Sequence, residues 1–312
     1  MKASLLTIGL TTLDVVARPV DALTHTERAV LIDGIACVPA GTAGGAAMVA
    51  AKLGVPTTIV GAVGDDLIGR FVRLGFESVG VDTSLLVTRP GERTSTTLLT
   101  VETGGQRSSY HAAGAGGGSS ISDPVVAAAC ASGFVHYAAV GGRDTDGGAG
   151  AELLKAAKGA GAVVTCDLIS PRRSAREELP RLLPHVDYFM PSAAEATFLS
   201  GADDLADAAA FFRGLGAGGC IIKNGGEGSY VSVGDERLTV PAHAIKPLDT
   251  TSCGDSYCAG FIAALSLGWP PLDACRFATA TAALVAQGLG TLGKLESFAE
   301  TERVMREANL TA

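Results

Sequence analysis

Short β-branched apolar runs alternate with helix-length apolar periodicity along most of this chain, and that alternation restricts the fold more than any other feature. The runs cover 5–9, 57–63, 134–140, 162–167, 188–190 and 220–223, while helical spacing recurs over 44–53, 66–79, 148–158, 205–214, 254–267 and 272–287. Strand, helix, strand repetition predicts a mostly parallel central sheet flanked by helices on both faces, the α/β class. Two stretches, 15–39 and 83–113, lack helical period. In the second, 95–102 and 107–111 read as the arms of a hairpin joined through Thr103-Gly104-Gly105-Gln106. Together the two stretches predict a small antiparallel β lid, with 1–14, 40–82 and 114–312 as the α/β body.

Composition narrows the function classes. Hydrophobic residues make up 47% and charged residues 18%, which excludes disorder and coiled coil. The formal net charge of −8 argues against a nucleic-acid or anionic-membrane partner, so any phosphate must be held locally. Seven cysteines without a Cys-x-x-Cys pair fit neither a disulfide framework nor a zinc site, and point to a reducing cytoplasm. The apolar start is interrupted by Thr11, Thr12 and Asp14, so it reads as a first strand rather than a signal peptide.

The most specific segment is Asp249-Thr250-Thr251-Ser252-Cys253-Gly254-Asp255, placed directly before the helical run. Small residues at a helix start leave N–H groups facing one point, where the helix dipole favours an anion. A carboxylate at that mouth has a use if it faces a hydroxyl and takes its proton as a phosphoryl group arrives. By pattern alone, Asp255 is equally an aspartate of the helix's first turn.

This segment resembles the Asp-Thr-Thr-Gly-Ala-Gly-Asp signature of the ribokinase-like carbohydrate kinases, the phosphofructokinase-B type, with Ser252 and Cys253 in place of Gly and Ala. The resemblance implies a ribokinase-like fold and ATP-dependent phosphorylation of a sugar hydroxymethyl group. It makes Asp255 the general base and Ser252, Cys253 and Gly254 the anion hole. It also implies that Asp14 binds sugar hydroxyls, together with Gly41, Thr42 and Gly45 of the first signature, in which Gly45 replaces an asparagine. The vacated space leaves a nucleoside acceptor open. The segment 61–66 with Gly69 matches a further family stretch.

In the second half, Ser192-Ala193-Ala194-Glu195 is similar to the family's Asn-x-x-Glu, whose glutamate organises Mg2+ through water. Lys223 and the loop with Gly225 and Gly228 resemble the nucleotide-phosphate loop, although such glycine clusters usually mean a hairpin turn. His111 is placed near the sugar, with Gly116 in place of a family asparagine. Asp249 and the Thr251 carbonyl resemble the start of a monovalent-cation site for K+, completed near 286–290, and a homodimer through the lid is familiar in the family. Two other readings compete. A dinucleotide-binding oxidoreductase lacks its Gly-x-Gly-x-x-Gly after the first strand. A non-catalytic binding relative would explain the replaced asparagines but not the retained Asp255.

Overall fold

The computed structural model describes residues 4–22, 27, 29–142, 144–168 and 173–307, and its centre is a nine-stranded sheet. Seven strands run parallel: β1 (Leu5–Gly9), β4 (Thr57–Gly64), β5 (Leu86–Arg89), β8 (Phe134–Val140), β9 (Val163–Leu168), β10 (Tyr188–Phe189) and β11 (Gly219–Lys223). An antiparallel edge follows in β12 (Ser229–Val233) and β13 (Glu236–Val240), giving the order β13-β12-β11-β10-β9-β8-β1-β4-β5.

The pleat sorts neighbouring residues into two cores. Leu6, Ile8 and Ile222 pack under α3 (Asp123–Ala131), α4 (Ala149–Gly159), α5 (Arg173–Leu182), α6 (Ala193–Ser200) and α7 (Leu205–Gly214). Leu5 and Ile221 point the other way, against α1 (Thr42–Lys52), α8 (Cys253–Ser266) and α9 (Pro271–Ala286), with α10 (Phe298–Arg306) beside them. Because both faces are covered, the strands read as continuous apolar runs. A third cluster seats Val72 and Phe76 of α2 (Leu67–Ser78) on Ile59 and Val63. Asp66 starts that helix by accepting from Gly69 N at 2.7 Å.

A second sheet, β3-β2-β6-β7, covers one end of the body. It comprises β2 (Thr12–Arg18), β3 (Gly34–Ala40), β6 (Thr96–Val101) and β7 (Arg107–Ala112). The β2–β3 and β6–β7 pairs are antiparallel and the β2–β6 pair is parallel. Two lid boundaries differ from the expectation. Residues 86–89 were expected in the lid, but β5 pairs with β4 at the edge of the central sheet. Asp14 was expected in the body at the end of the first strand, but the chain turns after Gly9 and carries Asp14 into β2. Its partner across the sheet is Val38, so the lid holds this carboxylate. No helix among the described residues is long and apolar enough to cross a membrane.

Candidate active site

The site forms where polar residues reach the carboxyl ends of strands on the face covered by α8. Asp167 lies near the end of β9 and Lys223 ends β11, and the two form an ion pair with side chains 5% and 11% exposed. Cys258, one turn into α8, donates its thiol to Asp167 Oδ2 at 3.4 Å and accepts from Lys223 Nζ at 3.6 Å. Burial works hardest against the charge of Lys223, but Asp167, Cys258 and Glu195 together outweigh it and hold Lys223 charged. A ligand at this end of a parallel sheet meets the strand termini and the start of a helix together.

That start is the first turn of α8. Ser252 precedes it with φ 56°, and no other non-glycine among the described residues has positive φ. A left-handed serine costs on the order of 1–3 kcal/mol, so the turn keeps a conformation that suits glycine although serine occupies it. Cys253 N reaches Thr250 O at 3.4 Å and Ser256 N reaches Ser252 O at 2.8 Å, while among the described residues no bond of the turn uses the N–H of Gly254 or Asp255. These two donors, at the positive end of a fourteen-residue helix, suit an anion. The space beside Gly254 leads to Lys223 Nζ, 3.5 Å from where a Cβ would stand.

The turn separates two cavities. One, of about 700 Å³, is lined by Lys223, Gly225, Gly228, Thr250, Cys253 and Gly254 among others. The second, of about 780 Å³, is bounded on one side by the lid and lined by Asp14, Gly41, Thr42, His111, Ser252 and Asp255 together with Thr97 and Arg107. Of the residues singled out in the sequence, Lys223, Gly225 and Gly228 thus line the first cavity and Asp14, Gly41, Thr42 and His111 the second, while Ser192 and Glu195 line neither. Gly45 also lines neither. It is buried behind Asp255, and a Cβ there would stand 2.9 Å from Asp255 Oδ2. The missing asparagine side chain therefore clears the space that Asp255 fills and does not widen the far end of the cavity.

Burial, then the nearby Asp167 charge, pushes the Asp255 carboxyl well above the usual carboxylate range, against the opposing effects of Lys223 and a hydrogen bond from Ser252. Asp14 is also raised, to about 6, chiefly by burial, and its Oδ1 has no hydrogen-bond partner among the described residues. A buried oxygen facing a cavity without a hydrogen bond is poised for a ligand. Beside it, His111 Nδ1 lies 3.1 Å from Thr97 Oγ1 on the lid's inner face.

Glu195 and Ser192 form a capping box: Glu195 Oε2 accepts from Ser192 N and Oγ, both at 2.7 Å, and Glu195 N donates to Ser192 Oγ at 3.3 Å. Neither lines either cavity, so serine in place of the family asparagine does a local job at the start of α6. No group of three His, Cys, Asp or Glu among the described residues could hold a metal alone. A metal here would therefore depend on donors from bound phosphates and water. Asp249, 1% exposed, accepts from Thr251 N at 2.8 Å and from Gly290 N at 2.9 Å, bracing the loop before α8 to the loop after α9. No cationic side chain pairs with it among the described residues.

Sequence reasoning left Asp167 unassigned and passed over Arg107 and Thr97. The position of Asp167 at the end of a parallel strand was the available signal; the other two depend on lid pairings that no local pattern specifies.

A fructokinase of Klebsiella pneumoniae is 26% identical over 73% of this chain and 77% of its own. An Escherichia coli protein of the ribokinase II type, solved with ATP and Mg2+, superposes with a TM-score of 0.84 at 23% identity over 97% of this chain and 99% of its own. The adenosine kinase of Sinorhizobium meliloti gives 0.81 at 24% identity over 97% and 99%. These likenesses establish the ribokinase fold. The sequence profile described as pfkB family carbohydrate kinase runs from residue 2 to residue 297, nearly end to end, and so the chain belongs to that family of sugar and nucleoside kinases.

Proposed function

We propose that the protein transfers the γ-phosphoryl group of ATP to a hydroxymethyl group of a sugar, with Asp255 as general base. The observation that carries this is the first turn of α8, which turns Gly254 and Cys253 toward one cavity and Asp255 toward the other. Asp255 takes the hydroxyl proton, the freed oxygen bonds to the γ-phosphorus, and the bond to the bridging oxygen breaks to leave ADP. A carboxyl raised above its usual range is the stronger base. The N–H groups of Gly254 and Asp255 and the Lys223 ammonium face the transferred charge. Magnesium, when bound with the nucleotide, neutralises charge on the phosphates.

The test is ADP release with magnesium across a panel of sugars and nucleosides. A nucleoside stays on the panel because a cavity of about 780 Å³ is in the size range of sites that enclose larger ligands. Absence of ADP release with every member would favour a non-catalytic relative. The same assay bears on the monovalent ion: Asp249 is a buried carboxyl group that pairs with no cationic side chain among the described residues, which suits K+ beside it and the Thr251 carbonyl. Potassium should raise the rate over a bulky organic cation at equal ionic strength; equal rates remove the ion from the reading.

Asp14 carries an opposed pair of expectations. A carboxylate bonded to hydroxyls contributes about 1.5–3 kcal/mol per charged hydrogen bond, so Asp14→Ala should raise sugar KM at least tenfold. Its pKa stands at about 6 against an ordinary 3.8. The stability tied to this group is therefore complete below the ordinary value and lost as pH rises through 6. Asp14→Asn should accordingly raise Tm at pH 8 while weakening the sugar; an unchanged KM would take Asp14 out of the site.

A further inference from the structure

The lid-side cavity has two electrically different ends. On the inner face of the lid, Asp14, Thr97 and His111 form one row across β2, β6 and β7, as their pairings require. Along β7, the alternate residues Arg107, Ser109 and His111 all line the cavity, while Tyr110 faces outward, 51% exposed. Arg107 pairs with Val101, four residues from His111 and about 14 Å along the strand at 3.4 Å per residue. Asp14 and Asp255 make the other end acidic, and Arg107 is the lone Lys or Arg among the described lining residues. No hydrogen bond or ion pair involves the Arg107 side chain among the described residues. Its exposed side chain lines the cavity, and its charge is felt at both Asp14 and Cys253.

A neutral sugar offers this arginine hydroxyl acceptors but no counter-charge. An anionic group next to Asp14 or Asp255 would be repelled, and the same group at the Arg107 end would be held by charge-assisted hydrogen bonds. Such a substrate would also be oriented, with its hydroxyls toward Asp14 and Asp255. We infer that the acceptor is a sugar bearing an anionic group, a carboxylate or a phosphate, remote from the reacting hydroxymethyl group, and that Arg107 selects it. This rests on the kinase reading above.

The experiment pairs neutral sugars with the matching sugar acids and sugar phosphates in the ADP-release assay, for the wild type, Arg107→Gln and Arg107→Lys. An anionic member should exceed its neutral counterpart at least tenfold in kcat/KM, and which one does so separates carboxylate from phosphate. Arg107→Gln should reduce that ratio at least tenfold, mainly through sugar KM, and Arg107→Lys should restore part of it. A wild type that prefers neutral sugars, or a ratio moved less than twofold in Arg107→Gln, overturns the inference and leaves the kinase reading intact. If no sugar releases ADP, the kinase reading fails, and calorimetric binding of the same panel without nucleotide decides this one. Anion-dependent binding that Arg107→Gln loses supports it; equal or absent binding of the anionic members overturns it.

Discussion

Asp255→Asn is expected to bind sugar and ATP much as the wild type does and to lose about 10²–10⁴-fold in kcat, the usual cost of removing a general base. Asparagine keeps the volume and can still hydrogen-bond Ser252 and a substrate hydroxyl, but it cannot take the proton. Only the ionised carboxylate is active, so wild-type kcat should rise with pH through a midpoint above the ordinary carboxylate range. Burial and Asp167 set that direction against Lys223 and Ser252. The residual activity of Asp255→Asn should lack this acid limb. A role confined to the first turn of α8 would instead cost about 1 kcal/mol of stability and leave kcat alone. A folded Asp255→Asn protein retaining more than a tenth of wild-type kcat would sink the base assignment.

The body of the fold was legible because its determinants are local. Buried strands such as 134–140 and 220–223 have to be apolar on both faces, and the periodic helices between them leave few alternatives. The segment before α8 was legible for a related reason: one short stretch carries the turn, the donors and the carboxylate together. What the sequence hid depends on pairing across long separations. Asp14 looks like the end of a strand in the body until Val38 and Thr97 are placed beside it in the lid. Gly45 looks like a widened pocket until Asp255, more than two hundred positions away, fills the space next to it. Serine at 192 looks like a weakened ligand until Glu195 folds back on it to start α6. Asp167 carries no local signal apart from its place at a strand end, and its role appears only with Lys223 against it.

That pair makes a second large effect separable into two parts. Lys223→Met leaves Asp167 charged, 5% exposed and without its cation, and stranding one member of a buried pair costs about 3–5 kcal/mol. Loss of the ammonium beside Gly254 also removes a positive charge from the phosphate side of the α8 turn, a change that elsewhere costs about 10²–10³-fold in kcat. The double variant Lys223→Met with Asp167→Leu tells stability from chemistry. With both charges gone, no buried ion is uncompensated, and replacing a buried pair by apolar side chains is often nearly neutral. The double variant should therefore recover most of the Tm lost by Lys223→Met while kcat stays at least a hundredfold down. Recovery of kcat along with Tm would reduce Lys223 to a structural partner of Asp167. A double variant as unstable as Lys223→Met would mean that packing around Cys258, and not the stranded charge, sets the cost, because Cys258 touches both members of the pair.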